Sequence, residues 1–261
     1  MIPGPPKGQD EVKVIDQLRI DYEYYKGMGK RFLSNSDLSL LINQPDLFRA
    51  DTKDSEPPAV PLIIGSYFHV SILEPHKLDQ FEIVDASTRS TKIYKEAVEA
   101  SSEQALLLKS DVEMIEKMRD KVLQNKLCEK LIYGDNNNKF EVPGIKKVKD
   151  VWFKGKADII NTDHQLIVDL KTTGDMAKFR YSAKRYGYHS QAYLYREIFG
   201  VDMVFIVVDK RTFQVGVYDC SDTFYQAGEL RVEQALENYN LYFGPNATRD
   251  VSQHLTNGTL L

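Results

Sequence analysis

The sequence predicts an α/β protein in which helices flank a mixed central sheet, behind a helical N-terminal part. Apolar residues repeat at helical spacing through the first half of the chain and again near its C-terminus. Short apolar runs of strand length lie between residues 140 and 219, on both sides of a helical stretch. With 261 residues and 42% apolar side chains, the chain is long enough to bury a sizeable core.

The pattern of the first half predicts helices separated by polar linkers. Residues 1–10 contain Pro, Gly and polar side chains with nothing to bury, so we expect disorder there. Ser34 is a good N-cap for a helix over 34–48. The acidic, proline-rich residues 51–61 predict a loop, a second helix follows it, and residues 92–132 repeat apolar side chains at helical spacing.

The second half predicts the order β-β-β-α-β-β-α. The pattern predicts a set of antiparallel strands over 140–142, 148–153 and 157–160, and a buried strand over 166–170. The helix 175–199, the strands 203–208 and 213–219 and the helix 222–243 follow. We divide the chain into a partly disordered extension 1–30, one domain 31–244 and a tail 245–261.

Composition excludes several classes of protein. Cys128 and Cys220 stand alone, so a zinc ribbon or four-cysteine cluster is excluded, and two lone thiols suit a reducing cytoplasm. The N-terminus lacks the apolar core of a signal peptide, and no apolar run reaches the roughly 18 residues of a membrane span. Phosphate-binding glycine motifs of nucleotide enzymes are absent as well.

The charge balance argues against a protein that coats nucleic acid. The net charge is −4 and the isoelectric point about 5.8, whereas electrostatic nucleic-acid binders are basic. Lysine and arginine are nevertheless concentrated in residues 146–156 and 171–185. These residues would therefore form either a local basic cleft beside a carboxylate site or an ordinary solvated surface.

The strongest chemical signal is GKADII followed by IVDLKTT. Asp158 lies in one strand, and Asp169 and Lys171 lie two residues apart at the end of the next. Adjacent antiparallel strands would bring Asp158 beside Asp169, and alternation would put Lys171 on the same face as Asp169. Two carboxylates this close repel each other, and a hard divalent cation removes that repulsion, with the Leu170 carbonyl as a further oxygen ligand.

This arrangement suits hydrolysis of a phosphodiester. A metal ion would activate water, and Lys171 would orient that water or stabilise charge on the phosphate oxygens. A D-x-K triplet alone is common and usually has no function. The apolar strand before it and the upstream Asp158 give this one its weight.

The ordered set of motifs resembles the PD-(D/E)XK nucleases, and within them the RecE-like phage exonucleases of the exodeoxyribonuclease VIII type. The opening helix of the family is resembled by the stretch LSNSDLSLLINQPDLF, and a second motif, GSYFH, ends in His69. The two metal-site strands are matched by GKADII and IVDLKTT. YHSQAYLY supplies Gln191 and Tyr195 as Q-x-x-x-Y. The resemblance spans roughly residues 32–243 and implies a restriction-endonuclease-like sheet.

The resemblance implies roles for the residues of the metal site. Asp158 and Asp169 would hold Mg²⁺, with Mn²⁺ as an alternative, and Lys171 would be the catalytic lysine. His69 would be a ligand or lie just behind one, or would be a structural histidine of an apolar helix with its hydrogen bonds satisfied. Gly65, four residues before it, would allow close approach of the backbone to another element. Glu141 would hold a metal through water, or would be an exposed residue at a strand edge.

The resemblance also implies contacts with DNA. Gln191 and Tyr195 would support the edge of the active site and touch the DNA backbone, or would only pack helix against sheet. Ser34 and Ser36 would hold a 5′-phosphate at a helix N-terminus, or would only cap that helix. Apart from the resemblance, a basic segment follows the active strand and would contact the DNA backbone, or would form a solvated face; its residues are Lys178, Arg180, Lys184 and Arg185.

The function that this resemblance implies is a Mg²⁺-dependent exonuclease acting on duplex DNA ends, 5′ to 3′, in phage-type recombination. Its partners would be DNA ends and a single-strand annealing protein. A ring-shaped homo-oligomer is left open, no membrane is involved, and the location is the cytoplasm, that of the bacterial host if the gene is a phage gene. The alternatives are a repair nuclease or endonuclease without an iron–sulfur cluster, and a non-catalytic DNA-binding protein on the same fold.

Overall fold

A five-stranded mixed sheet forms the centre of the protein, in a computed structural model that describes residues 2–48, 60–101, 105–134 and 136–256. The sheet order is β3-β4-β5-β6-β7, and only the central pair β5–β6 is parallel. A small parallel pair, β1 (Ile83–Val84) and β2 (Leu107–Leu108), lies apart from it. The strands of the sheet are β3 (Lys139–Val148), β4 (Val151–Asn161), β5 (Leu166–Thr173), β6 (Asp202–Asp209) and β7 (Val215–Asp219).

Helices cover both faces of this sheet, which confirms the predicted α/β class. They are α1 (Glu11–Gln17), α2 (Asp21–Tyr25), α3 (Asn35–Asn43), α4 (Val60–Leu73), α5 (Lys92–Ala100), α6 (Lys109–Gln124), α7 (Lys126–Tyr133), α8 (Phe179–Arg185), α9 (Tyr188–Phe199) and α10 (Asp222–Tyr242). Among the described residues, no helix combines the length and apolar character needed to cross a membrane.

Alternating side chains of the central strands feed two apolar clusters. Ile167 of β5 and Phe205 of β6 pack with residues of α3, α9 and α10. Val168 and Ile206, one position further along each strand, pack with residues of α4, α6 and α7. Both central strands are therefore buried on both faces, as expected for a parallel pair covered by helices.

The hairpin between β3 and β4 differs from the predicted strand boundaries. The sequence predicts three short strands over 140–142, 148–153 and 157–160. The structure has two long strands, β3 and β4, in their place. The chain reverses at Lys149 and Asp150, whose φ angles are 46° and 66°. Two positive φ angles are typical of a tight hairpin turn. Because neither residue is Gly or Asn, the usual turn signal is missing from the sequence there.

Three predicted helices are interrupted. The stretch 175–199 divides into α8 and α9 because Gly187, with φ of 74°, lies between them. The helix 34–48 ends at Asn43, since Pro45 disfavours helical geometry at the preceding residue. The stretch 92–132 becomes α5, α6 and α7, with β2 inserted before α6.

The N-terminal segment packs against the sheet, although its composition predicted partial disorder. Ile2 is buried, and the Gly4 N–H donates to the Arg31 carbonyl at 3.0 Å. Val14 and Leu18 of α1 form a small apolar cluster with Ile145 of β3. The division into 1–30, 31–244 and 245–261 stays a prediction. Residues 51–59 of the predicted loop and 257–261 of the tail lie outside the described residues.

Candidate active site

Asp158 and Asp169 lie where the ladder between β4 and β5 ends. The last registered pair is Ile159 with Val168, and the two aspartates are the next residues along their strands. Asp158 Oδ2 accepts a hydrogen bond from the Leu170 N–H at 2.8 Å. A carboxylate thus takes a backbone donor at the point where the strands separate. This confirms that the strand pair brings the two aspartates together.

Asp169 is almost completely buried, with 1% of its surface exposed. Its Oδ1 accepts a hydrogen bond from Gln191 Nε2 at 2.6 Å. Its Oδ2 forms an ion pair with Lys171 and has no further hydrogen-bond donor among the described residues. Burial, opposed by Lys171 and reinforced by the charge of Asp158, raises the pKa of Asp169 to about 6.

Lys171 is held as a cation beside the carboxylates. Burial lowers its pKa, but Asp169 and Asp158 more than offset this, so the net shift of the pKa is upward. Its Nζ also lies 4.7 Å from the centre of the Tyr188 ring, where a cation is favoured. The expectation that Lys171 and Asp169 share a face is confirmed by their ion pair.

His69 of α4 contacts the other carboxylate. Its Nδ1 lies 3.2 Å from Asp158 Oδ2. Burial lowers the pKa of His69, and the Asp158 carboxylate raises it by more. The expectation of close backbone approach at Gly65 was wrong, because a side chain there would meet nothing within 4 Å among the described residues. His69 is therefore placed by its contact with Asp158, and its role as a metal ligand stays a prediction.

Glu141 of β3 stands opposite Asp158, between the registered pairs Phe140–Ile159 and Val142–Ala157. Its φ is 49°, an unusual value within a strand. Its carboxylate lies 3.0 Å from Lys156 Nζ. Burial, with the charge of Asp158 adding to it, raises its pKa. A metal role for Glu141 stays a prediction, since its carboxylate pairs with Lys156.

Lys156 is a site residue that the sequence did not single out. Its Nζ contacts Glu141 and also Asp21 of α2, the latter at 2.9 Å. It lies two residues before Asp158 in the basic run 146–156, and that spacing is the signal that could have identified it. Asp21 also pairs with Lys77 at 3.0 Å, so the N-terminal segment forms part of the site's wall.

The carboxylates fit a divalent cation, although no group of three or more His, Cys, Asp and Glu side chains in the described part of the chain is arranged to hold a metal alone. Mg²⁺ is commonly bound through one or two carboxylates and keeps several waters. Asp158 and Asp169 supply the two carboxylates. Apart from its ion pair with Lys171, Asp169 Oδ2 has no donor among the described residues, and burial raises the pKa of that residue. A ligand role for the Leu170 carbonyl stays a prediction.

Gln191 and Tyr195 connect α9 to the two strands of the site. Gln191 fixes Asp169, whereas the Tyr195 hydroxyl donates to the Lys156 carbonyl at 3.0 Å and accepts from the Lys156 N–H at 3.2 Å. Tyr195 is buried. These contacts favour the interpretation in which both residues support the strands, and a DNA contact stays a prediction.

Ser34 and Ser36 lie at the start of α3, as expected. The Ser34 N–H and hydroxyl both donate to Asp37, at 2.8 and 2.7 Å, and the two serine hydroxyls lie 2.9 Å apart. Asp37 thus already places a carboxylate at this helix terminus. That favours simple capping, and phosphate binding at the two serines stays a prediction.

A cleft of about 1270 Å³ connects these groups. Its lining includes Ser34, Ser36, His69, Glu141, Lys156, Asp158, Lys171, Gln191 and Tyr195. The basic residues of the α8 region, which are Lys178, Arg180, Lys184 and Arg185, are exposed and do not line it. A DNA contact by those four residues stays a prediction.

Comparisons with known proteins agree with this fold. No curated protein matches the chain. A solved structure from Eubacterium rectale, described as a "putative exonuclease", has a TM-score of 0.62 at 16% identity, over 93% of this chain and 94% of the other. A phage-related exonuclease from Haemophilus somnus 129PT has a TM-score of 0.34 at 13% identity, over 80% and 93% of the two chains. The first similarity shows a shared fold.

Residues 44–243 match the family described as a PDDEXK-like domain of unknown function (DUF3799). This match covers most of the chain and includes both strands of the carboxylate site. The family and the site together support a nuclease. The match over residues 44–243 shows that this protein belongs to that PDDEXK-like family.

Proposed function

We propose that this protein is a Mg²⁺-dependent DNA exonuclease that hydrolyses phosphodiester bonds from duplex ends, in the 5′ to 3′ direction. The observation that carries the proposal is the pair of carboxylates, Asp158 and Asp169, at the end of the β4–β5 ladder with Lys171 beside them. A buried lysine next to two carboxylates in a cleft is an arrangement suited to enzymes that hydrolyse phosphodiesters.

Asp158 and Asp169 would hold the cation. A bound divalent cation would activate water and neutralise charge that develops on the phosphate. Lys171, a cation fixed by Asp169 and the Tyr188 ring, stabilises negative charge on the phosphate oxygens. Gln191 holds the Asp169 carboxylate in one orientation, and His69 and the Leu170 N–H hold that of Asp158. We expect Mn²⁺ to substitute for Mg²⁺.

Action at DNA ends is supported by the motif order, which resembles RecE-like exonucleases, and by the shared fold with the Eubacterium rectale protein. Under this proposal the enzyme exposes single strands in phage-type recombination, in the cytoplasm of the host, for an annealing protein. A ring of several copies around DNA would retain an acidic protein on its substrate.

Degradation of linear duplex DNA tests the proposal. Wild-type protein should degrade it with Mg²⁺ and not with EDTA. Asp169→Asn and Lys171→Met should each lower the rate at least about a hundredfold. Lys147→Met is a matched control, because Lys147 lies in a surface ion pair with Asp150, and it should retain activity. Equal rates for wild type and Asp169→Asn would contradict the catalytic assignment and favour a non-catalytic DNA-binding protein.

The form of the substrate separates exonuclease from endonuclease. Linear duplex should be degraded while covalently closed circular duplex stays intact, and a 5′-terminal label should be released before a 3′-terminal label. Cleavage of the closed circle would identify an endonuclease instead. Early release of the 3′ label would reverse the proposed polarity.

A further inference from the structure

Helix α8 presents exposed aromatic rings and basic side chains together. Tyr181 on the helix is 80% exposed, and Tyr186, directly after it, is 61% exposed. The exposed basic residues Lys178, Arg180, Lys184 and Arg185 lie on or beside the same helix. We call these six residues the α8 patch.

The helix is anchored so that these side chains stay at the surface. Phe179 and Ala183, four residues apart, are buried and face the sheet. The Phe179 ring packs 4.9 Å from the Tyr218 ring of β7. Large aromatic side chains are usually buried, so two exposed tyrosines, one on this short helix and one directly after it, call for an explanation.

The cations of the patch have little internal compensation. Lys178 pairs with Asp175 at 3.1 Å. Within the described part of the chain, no ion pair is found for Arg180, Lys184 or Arg185. In a protein of net charge −4, such a group is a local positive surface that suits a polyanion.

A series of aromatic contacts leads from the patch to the active site. The Tyr186 ring lies 6.0 Å from that of Tyr188. The Tyr188 ring lines the cleft and lies 4.7 Å from Lys171 Nζ. A strand that leaves the cleft past Tyr188 would therefore reach the exposed rings next.

We propose that the α8 patch binds single-stranded DNA, with bases stacked on Tyr181 and Tyr186 and phosphates held by Arg180, Lys184 and Arg185. Stacking on aromatic rings beside a basic track is how proteins hold single strands without reading sequence. A duplex keeps its bases stacked inside and cannot use the rings in this way. The inference rests on the proposed function in one respect, since it is the nuclease reaction that would produce the single strand.

Binding of a fluorescein-labelled 20-nucleotide oligo-dT to the full chain in EDTA tests this inference. The double variant Tyr181→Ala/Tyr186→Ala should bind at least tenfold more weakly than wild type. Tyr181→Phe/Tyr186→Phe keeps the rings and should bind within about twofold. Tyr22→Ala is the matched control, because Tyr22 is 68% exposed on α2 next to Asp21 and Glu23, and it should bind like wild type.

Salt dependence tests the basic residues separately. For Arg180→Gln/Lys184→Gln, the slope of log K against log salt concentration should fall by roughly 0.7 for each phosphate that the variant no longer neutralises. A 20-base-pair duplex is the comparison ligand, and its affinity should change little in the tyrosine-to-alanine double variant.

Several results would overturn the inference. These are absence of oligo-dT binding by wild type, unchanged binding by the alanine double variant, an equal loss in Tyr22→Ala, or an equal loss on duplex. If wild type degrades linear DNA but the alanine variant binds oligo-dT normally, only this inference fails. If the alanine variant loses oligo-dT binding but wild type degrades no DNA, the patch stands and the proposed nuclease function fails.

Discussion

The carboxylate site and the α8 patch are both charged, but the protein treats their charges in opposite ways. Asp158 and Asp169 are buried, and each has fixed partners within the protein. Arg180, Lys184 and Arg185 project into solvent. The first arrangement fixes atoms for chemistry, and the second leaves side chains free to follow a flexible polymer.

The physical reason lies in the cost of burying charge. A buried carboxylate is costly unless hydrogen bonds and opposite charge compensate it. The Asp158 carboxylate contacts His69 and accepts a hydrogen bond from a backbone N–H. The Asp169 carboxylate accepts a hydrogen bond from Gln191 and forms an ion pair with Lys171. Exposed arginine and lysine stay hydrated and need no partner. Substitutions at the carboxylate site should therefore have large effects on activity or on stability. Substitutions in the α8 patch should have small effects on stability.

Among the residues that support the carboxylates, Gln191 should show the largest effect when it is changed to Ala. Asp169 Oδ1 would lose the donor that orients it, and loss of such a supporting partner costs about 10- to 100-fold in activity or metal affinity. Steady-state rates of degradation of linear duplex over a series of Mg²⁺ concentrations measure this. High Mg²⁺ should restore part of the activity that the variant has lost. Tyr193→Phe on the same helix is the control. A rate unchanged at all Mg²⁺ concentrations would mean that Gln191 does not position Asp169.

Tyr195→Phe should destabilise the fold by about 1–2 kcal/mol, because the partly buried N–H and carbonyl of Lys156 would lose the Tyr195 hydroxyl as a partner. Urea unfolding followed by circular dichroism measures this. Tyr181→Phe removes an exposed hydroxyl and should leave the unfolding midpoint where it is. Equal midpoints for Tyr195→Phe and wild type would show that the hydroxyl does not tie α9 to β4.

Stability should fall between pH 6.5 and pH 4 because of His189. Burial, with Arg231 and Lys184, lowers the pKa of His189 to about 4, and its Nδ1 has no partner among the described residues. The unfolded chain, with a pKa near 6.5, binds the proton first as pH falls. This stability is thus present above about pH 6.5 and is lost on acidification.

The comparison of His189→Gln with wild type isolates this contribution. Wild type should lose about 2 kcal/mol more stability than the variant on going from pH 7 to pH 5. Melting or urea midpoints at the two pH values measure it. A parallel loss in both proteins would assign the acid sensitivity to other groups.

The smallest effect is expected in the α8 patch. Arg180→Gln/Lys184→Gln should change the free energy of unfolding by no more than about 0.5 kcal/mol, because exposed charges without ion pairs contribute little. The same urea titration measures this. A loss as large as that of Tyr195→Phe would mean that the patch is structural, and would remove the contrast between the two regions.

The centre of the site could be predicted from the sequence because local rules suffice there. A short turn between two apolar strands forces them to pair, so Asp158 falls beside Asp169. The two-residue repeat of a strand then puts Lys171 with Asp169. The same rules failed at Lys149 and Asp150, where the turn adopts positive φ without glycine.

Only the tertiary structure decided which distant residues complete the site. Glu141 pairs with Lys156, Gln191 reaches Asp169, Tyr195 ties α9 to β4, and Asp21 from the N-terminal segment meets Lys156. Such contacts depend on how helices pack on the sheet, and packing is set by the shapes of whole surfaces and not by spacing along the chain. The sequence by itself determined the carboxylate pair and the lysine, because neighbouring strands fix them locally. The folded chain determined what surrounds them.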